Sequence, residues 1–272
     1  MYVLLTDETN MQPSENCEFF IYGGIFFSLD ILPALNRSVA RIRRDAGYQP
    51  GDTFKFDTRA RPEYVSQESA TTAKAQVLHV CSELGVQFIA HIILHQIVER
   101  QDRDQRVLWA ADYVIARFNK FLREEANSYG ICVVDNLPVR AAWQYLSDRY
   151  SNGLELSSGS RVALDRIELF SATCIGASHA SSVIDIVLGS FRYCVNNPLN
   201  AAAAKSMLKV IAPMMWHREV DGVQHVRDYG LIVRPPIDEV RVPAYRQKYL
   251  DLIDHLQGLL DATEEVDGEE PS

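Results

Sequence analysis

Apolar and polar positions follow two periods along this chain, and together they predict strands and helices in mixed order. The apolar run at 2–6 shows little alternation, which is typical of a central strand covered on both faces. The run at 19–28 is rich in aromatic and β-branched residues and favours a second strand, in which Gly23 and Gly24 indicate a bulge or a close backbone approach. Turn-forming residues at 11–18 separate the two runs, so we expect an antiparallel hairpin.

Apolar side chains spaced three or four residues apart predict helices over much of the remaining chain. The helices expected on this basis are 31–46, 66–84, 105–127, 136–150, 178–195, 199–212 and 243–260. The further strands expected are 52–57, 86–98, 130–135 and 166–172. Asp30 is placed to cap the first of these helices. The apolar face predicted for the last helix consists of Leu250, Ile253, Leu256 and Leu260.

The sequence changes in character after Pro213. Asp221-Gly222 lies at the centre of a short polar segment, which is a strong signal for a two-residue hairpin turn. We therefore predict one α/β domain over 1–212, with a mixed sheet flanked by helices, and a hairpin and amphipathic helix over 213–262 that pack on it. The acidic tail at 263–272 has the composition of a disordered segment.

The composition narrows the class of protein. The net charge of −9 argues against diffuse attraction to nucleic acid, although net charge says little about a focused site. The five cysteines are scattered and form no CxxC pair, which is typical of free thiols in a reducing compartment. There is no signal-peptide pattern and no apolar run near the ~20 residues that span a bilayer, so we expect a cytoplasmic protein without a membrane partner.

Three aspartates stand out because of where the pattern puts them. Asp7 and Asp135 each follow an apolar strand, whereas Asp185 lies inside an otherwise apolar helix, where an ionised carboxylate is costly unless it is paired or binds a metal. If the strands that carry Asp7 and Asp135 are neighbours, both carboxylates emerge at one sheet edge. The helix that carries Asp185 could then add the third carboxylate. Carboxylates are suitable ligands for Mg²⁺ or Mn²⁺, and two such ions would clamp a phosphodiester. The alternatives are turn or cap roles for the strand-end acids, and pairing with Arg192 or exposure to solvent for Asp185.

The stretches "LLTDETN", "FFIYGGIFFS", "TFKF", "VVDN" and "SSVIDIVLG" follow one another between residue 2 and about residue 195. Their order and spacing resemble the Domain of Unknown Function 3800 family, which has a strand ending in Asp-Glu-Ser-Gly, a Gly-Gly strand, a Glu-x-Lys strand, an Asp-terminated strand and a helix close to L-Q-x-A-D-x-x-x-G. The resemblance implies a ribonuclease H-like fold and a metal-dependent nuclease of the kind often found in bacterial defence. The chain departs from the family pattern at Thr9, Asn10, Thr53, Ser182 and Ile184.

The resemblance also implies roles for five residues. Asp7, Asp135 and Asp185 would hold Mg²⁺ or Mn²⁺, and Glu8 would assist them, either as a direct ligand or from beside the ion. Lys55 would contact the scissile phosphate or neutralise charge among the acids, with a solvated lysine on an edge strand as the alternative.

The histidines and arginines add little to this picture. His91 and His95 would lie roughly 13 Å apart in a strand, too far to share an ion, so we expect no zinc site. His179 could transfer protons near the Asp185 helix, or simply begin that helix. The stripe of arginines at 37, 41 and 44 could follow a nucleic-acid backbone or form a solvated helix face.

The function predicted is therefore a divalent-metal-dependent nuclease that acts on DNA or RNA. The alternative is a non-catalytic binding or assembly protein on the same fold. The net charge, the altered motif residues Thr9 and Ser182, and the C-terminal helix favour this alternative, because the helix could mediate a homo-oligomer or dock a protein partner.

Overall fold

The computed structural model describes residues 1–9, 12–13, 17–99, 101–135, 142–155, 161–173, 176–196 and 200–261. The departure from the family pattern at Asn10, the first turn of the helix predicted at 136–150 and the tail at 263–272 lie outside these residues. None of the described helices is both long enough and apolar enough to cross a membrane.

The described residues form a mixed α/β structure around a central sheet. The strands, in chain order, are β1 (Tyr2–Thr9), β2 (Phe19–Ser28), β3 (Gln87–Leu94), β4 (Gly130–Asp135), β5 (Leu154–Glu155), β6 (Arg161–Val162), β7 (Ile167–Thr173), β8 (Arg218–Val220), β9 (Val223–His225) and β10 (Leu231–Val233). The α-helices are α1 (Leu32–Asp45), α2 (Gln67–Glu83), α3 (Arg103–Glu124), α4 (Ala142–Asn152), α5 (His179–Val195), α6 (Ala201–Ile211) and α7 (Pro243–Asp261).

Six strands form the central sheet in the order β10-β3-β2-β1-β4-β7. The neighbours β1 and β2 are antiparallel, as are β2 and β3, whereas β4 runs parallel to β1 and β7 runs parallel to β4. At the other edge, β10 pairs with β3 in parallel. The mixed sheet flanked by helices is confirmed. The division after residue 212 stays a prediction, and the segment that follows it adds a strand to the sheet.

Helices cover both faces of the sheet, which explains why its central strands carry apolar residues on both sides. On one face, side chains of α1, α2, α5, α6 and α7 pack with Val3, Leu5 and Phe27. On the other face, side chains of α3 and α4 pack with Leu4 and Phe26. Side chains of β1 alternate between the two faces of the sheet, so each apolar residue packs into the core on its own face. The polar residues at the end of the strand alternate in the same way.

Most elements predicted from the apolar pattern are confirmed with small shifts at their ends. These are the β1–β2 hairpin, β3, β4, β7, α1, α2, α3, α5, α6, α7 and the hairpin of β8 and β9. One end differs in a way that bears on function, because β1 continues past Thr6. Asp7 and Glu8 lie within the strand and pair with Gly23 and Tyr22 of β2, so Asp7 does not end it.

Two local predictions are wrong. Residues 52–57 form no strand, because Phe54 is inserted into the core beside Tyr48, with ring centroids 4.9 Å apart, instead of pairing in a sheet. Asp30 does not cap α1, because it lies in a 3₁₀ turn (Leu29–Ile31) that begins at Ser28, and Ile31 is the residue before α1.

The inward face predicted for α7 is wrong in part, because Leu256 is buried and Ile253 packs against the core as expected, whereas the other two residues do not. Leu250 and Leu260 are 40% and 37% exposed, whereas the buried residues are Tyr249, Leu252, Leu256 and Leu259. The reason is Tyr249, whose hydroxyl accepts a hydrogen bond from Leu94 N at 2.8 Å and donates one to Arg234 O at 2.9 Å. These two bonds turn that side of the helix towards the sheet.

Candidate functional site

Two of the three candidate aspartates are brought together by strand pairing. β1 and β4 are parallel neighbours, and the last pair in their register is Thr6 with Val134. The next residues on the two strands are Asp7 and Asp135, on the face that points away from α3. The side-by-side arrangement that the sequence required of these strands is therefore present.

The third aspartate reaches the same place because β2 lacks a side chain opposite Asp7. Gly23 pairs with Asp7, and a Cβ atom at Gly23 would lie 2.6 Å from Leu188 Cδ1 of α5. The β1–β2 register is uninterrupted, so the glycine pair marks a close approach by another element and not a bulge. Asp185 precedes Leu188 by three residues and shares its side of the helix, which brings its carboxylate towards the end of β1.

Phe56 fixes the orientation of Asp185. The backbone N–H of Phe56 donates a hydrogen bond to Asp185 Oδ2 at 2.6 Å, and its carbonyl oxygen accepts one from Lys74 Nζ at 2.7 Å. The segment can lie this close to α5 because Gly189 has no side chain, since a Cβ atom there would lie 2.5 Å from Phe56 Cβ. The half-buried carboxyl group of Asp185 and the buried ammonium group of Lys74 thus hold the two backbone groups of the same residue.

These elements enclose a cavity of about 340 Å³, here called the acidic cavity. Its described lining residues are Asp7, Glu8, Thr9, Lys55, Phe56, Asp57, Ala60, Asp185, Leu188, Gly189 and Arg192. Asp135 is 6% exposed and does not appear in this described lining. Its charge nevertheless acts on both Asp7 and Glu8, so the four carboxyl groups form one electrostatic cluster.

The first two acids of the cluster are destabilised in their ionised forms. Burial, and then the charge of Glu8, raise the pKa of Asp7 to about 8, with smaller contributions from Asp135 and Asp185. Burial, and then the charge of Asp135, raise the pKa of Glu8 to about 7, while Arg103 opposes the shift. Desolvation and like charge disfavour the charged form of an acid in the same direction.

Asp185 differs from these two because cations surround it. Burial raises its pKa, while the Phe56 N–H and the charges of Lys55, Arg192 and Lys74 oppose that rise. Neither alternative considered for this residue describes it fully, since its carboxylate is bound to a backbone N–H and is mostly buried. Lys55 lines the cavity, and its charge opposes the rise in the pKa of Asp185; both roles expected for it in the reaction stay predictions.

The oxygen donors of this cluster are those that a hard divalent cation prefers. The described acidic side chains are not, however, spaced as ligands of one ion. Glu8 Oε2 is buried without a hydrogen-bond partner, and all the acidic groups offer oxygen atoms. A bound cation would relieve the repulsion that raises the pKa values of these acids. Among the described residues, however, no group of three or more His, Cys, Asp or Glu side chains is arranged to hold a metal ion.

Some residues of this region were not predicted from the sequence as parts of the site. Phe56 and Lys74 were missed because their contacts join segments that are far apart in the chain. Lys74 did leave a signal, since it falls within the buried stripe of α2 at helical spacing from Ala70 and Leu78 and is 6% exposed. A charge inside an apolar stripe is the same signal that identified Asp185.

Other candidates lie elsewhere. His179 lines a different cavity, together with Arg43 and Tyr48, and does not line the acidic cavity. The side chains at 37, 41 and 44 on α1 are exposed, as both readings of that stripe require. His91 is fully buried and stacks on Tyr113 with ring centroids 5.1 Å apart.

Comparisons with known proteins give no independent assignment. No family model matches the chain. A search of curated proteins finds no match either.

Proposed function

We propose that this protein is a divalent-metal-dependent nuclease built on a ribonuclease H-like core. The observation that carries the proposal is the cluster of four carboxyl groups at one sheet edge, in which burial and mutual repulsion raise the pKa values of Asp7 and Glu8. Such a cluster is unfavourable without a cation, and its oxygen donors are those that Mg²⁺ and Mn²⁺ prefer. The order of the five strands β3-β2-β1-β4-β7, three antiparallel and then two parallel, supports the fold assignment.

The residues that would hold the ion are Asp7, Asp135 and Asp185, with Glu8 as a further ligand or a neighbour. When bound, Mg²⁺ or Mn²⁺ would supply Lewis acidity and lower the pKa of water at the site. A bacterial defence role and a cytoplasmic location belong to the same proposal, because they come from the motif resemblance and the composition.

The protein's own groups can perform the remaining steps. Glu8 has a buried Oε2 atom without a hydrogen-bond partner, so, where it is not itself a ligand, it can accept a proton from a water molecule as that water attacks phosphorus and the bond from phosphorus to the leaving oxygen breaks. Lys55 and Arg192 line the same cavity and can bind the oxygens of a phosphodiester. Asp185, held by the Phe56 N–H, keeps one oxygen fixed while the other stays available.

A cleavage assay with labelled DNA and RNA in Mn²⁺ tests the proposal. We expect the unaltered protein to cut at least one of these substrates, and Asp185→Asn to reduce the rate by roughly 100-fold or more, because Asp185 is a direct ligand in this proposal and even the loss of a group that only supports a ligand commonly costs about 10–100-fold. Asp251→Asn is the matched control, since Asp251 is exposed on α7 and remote in sequence from the cavity.

The control should cleave at the unaltered rate. If Asp185→Asn cleaved as fast as the unaltered protein, Asp185 would have no part in the reaction and the proposal would be wrong. If no substrate were cut under any metal condition, the alternative below would be favoured.

The alternative is a non-catalytic assembly protein, and two observations favour it. The described acids are not arranged as a finished metal site, and α7 together with the residue before it exposes Val242, Leu250 and Leu260 at 45%, 40% and 37%. Exposed apolar residues of this kind are common at contacts between subunits, although scattered ones are also normal on monomers.

Light scattering on the full chain tests this alternative. A chain ending near residue 212 is unsuitable, because it would lose β10 and Tyr249 from the fold. An assembly protein should form an oligomer that dissociates in the Leu250→Lys, Leu260→Lys double variant, while a monomer at all concentrations would argue against it.

A further inference from the structure

A second cavity lies directly beside the acidic one. It has a volume of about 500 Å³, here called the cationic cavity, and lies between α2, the last turns of α5, and α6. It shares Phe56, Asp57 and Arg192 with the acidic cavity. Its volume falls in the range of sites that bind small molecules or parts of larger ligands.

The wall contributed by the helices is largely apolar. Ala75 and Leu78 line it from α2, Met207 and Val210 line it from α6, and Tyr193 lines it from the end of α5. Tyr193 is fixed in place, because its hydroxyl oxygen accepts a hydrogen bond from Asn200 N at 3.0 Å. A wall of this kind suits a flat, largely apolar group such as a nucleobase.

The charged residues that line the cavity carry an excess of positive charge. Lys74, Arg59 and Arg192 line the cavity, against Asp57 as the one acidic residue in its described lining. Lys74 is 6% exposed, and one of the three N–H groups of its ammonium donates a hydrogen bond to Phe56 O. Arg192 follows Asp185 by seven residues, two turns of α5, so the same helix side serves both cavities.

Phe56 separates the two cavities and is flanked by two of these cations. Lys74 Nζ and Arg192 Cζ each lie 5.7 Å from the centroid of its ring. Cations at this distance from an aromatic face are attracted to it, so the ring helps to hold both of them at the shared wall. An anion that crossed from one cavity to the other would pass these two positive groups.

We propose that the cationic cavity binds one nucleotide unit of a single-stranded nucleic acid. The base would lie against the apolar helix wall and its phosphate would face Lys74 and Arg192, while the adjoining phosphodiester would enter the acidic cavity. A base inside a duplex is paired and stacked and has to leave the stack to enter such a pocket. The inference rests on the proposed nuclease function for the role of the acidic cavity.

An obstructing substitution tests this inference in the full chain without any metal. Ala75 is exposed on α2 and lines the cavity, so Ala75→Trp should fill it without disturbing the core. Thr72→Trp is the matched control, because Thr72 is exposed on the same helix and is not among the described lining residues. The probe is a fluorescein-labelled oligothymidylate of about eight nucleotides, within the usual site size of such proteins, measured by anisotropy in EDTA.

We expect Ala75→Trp to weaken binding by roughly tenfold or more, the loss that corresponds to one stacked base, and Thr72→Trp to bind like the unaltered protein. Ser206→Trp, an exposed position of α6 on the other side of the cavity, should repeat the effect. Circular dichroism would show that the variants fold. Equal binding by folded Ala75→Trp and Ser206→Trp would overturn the inference.

Further outcomes distinguish this inference from binding of a free nucleotide and from the proposed nuclease function. Thymidine monophosphate that bound as tightly as the oligonucleotide would overturn the assignment to a strand, because the cavity would then take a free nucleotide. Obstruction-sensitive binding without any cleavage in Mn²⁺ would support this inference and count against the nuclease. Cleavage in Mn²⁺ together with binding that the obstructing substitutions do not weaken would support the nuclease and overturn this inference.

Discussion

The acidic and cationic cavities meet at Phe56, and they are built in opposite ways. The acidic cavity takes Asp7 and Glu8 from a strand and Asp185 from a helix, while the cationic cavity takes most of its lining from three helices. In both, one charged residue lies inside an apolar helix stripe and is bound to the backbone of Phe56: Asp185 to its N–H and Lys74 to its carbonyl. Two opposite charges therefore hold the Phe56 loop. The negative one belongs to the acidic cavity and the positive one to the cationic cavity.

The largest effect that sharpens this contrast concerns pH. The pKa of Asp7 rises from 3.8 to about 8 on folding. Below about pH 4 the group is protonated in both states and costs nothing; as pH rises towards 8 the unfolded chain loses the proton while the folded chain keeps it, so stability falls. Glu8 and Asp185 shift in the same direction.

Urea unfolding in EDTA at several pH values measures this effect. We expect the metal-free protein to lose a few kcal/mol between about pH 5 and about pH 8, and Asp7→Asn to remove much of that loss. The variant should therefore be the more stable protein at pH 8. Asp251→Asn should keep the unaltered pH dependence. A flat profile for the unaltered protein would mean that the cluster is not strained.

The second effect concerns the close approach of the Phe56 loop to α5. Gly189→Ala places a Cβ atom 2.5 Å from Phe56 Cβ, so the loop must move. We expect a loss of about 1–3 kcal/mol of stability, typical of overpacking, together with loss of the hydrogen bond from Phe56 N to Asp185. Both cavities should be affected, since both contain Phe56.

Gly258→Ala is the matched control for that substitution. It also replaces a helical glycine, but nothing lies within 4 Å of the added Cβ atom. We expect it to stabilise α7 by up to about 1 kcal/mol, because alanine favours helix more than glycine does. If Gly189→Ala were equally harmless in thermal unfolding, the Phe56 contact would be adjustable and the two cavities would not depend on it.

The smallest expected effect is the loss of cleavage rate when Lys55 is replaced, which distinguishes a lysine that acts in the site from a solvated one. The charge of Lys55 opposes the rise in the pKa of Asp185, so Lys55→Met should raise that pKa further and shift the acidic limb of the cleavage profile to higher pH. We expect about a tenfold loss of rate, equivalent to about 1.4 kcal/mol. Lys55→Arg should restore most of the activity. A rate unchanged by Lys55→Met would identify Lys55 as a solvated lysine.

The sequence predicted the parts of the site that depend on local pattern. Asp185 was recognisable because a carboxylate in an apolar helix is costly, and Asp7 and Asp135 because each follows an apolar run. The glycine at position 23 indicated either a bulge or a close approach, and the structure shows the close approach, which α5 makes through Leu188. In each case one residue conflicts with its own periodic context, and that conflict is visible without a structure.

The remaining features depend on tertiary contacts that leave a weak local signal. The segment 52–57 alternates like a strand, yet it is a loop held by Asp185, Lys74 and the insertion of Phe54. β10 has only three residues, too few to show a period. The orientation of α7 is set by the hydroxyl of Tyr249, a residue that a search for aliphatic side chains overlooks.

Calorimetric titration of the protein with Mn²⁺ tests the central claim most directly. If the acidic cavity holds the ion, binding near pH 6 should displace protons from Asp7 and Glu8, whose pKa values are about 8 and about 7. The measured enthalpy should therefore depend on the ionisation enthalpy of the buffer, and this dependence should become small near pH 9 and should decrease in Asp7→Asn, which leaves only the proton of Glu8 to be displaced. Absence of binding, or binding without proton release near pH 6, would contradict a metal site at this cluster.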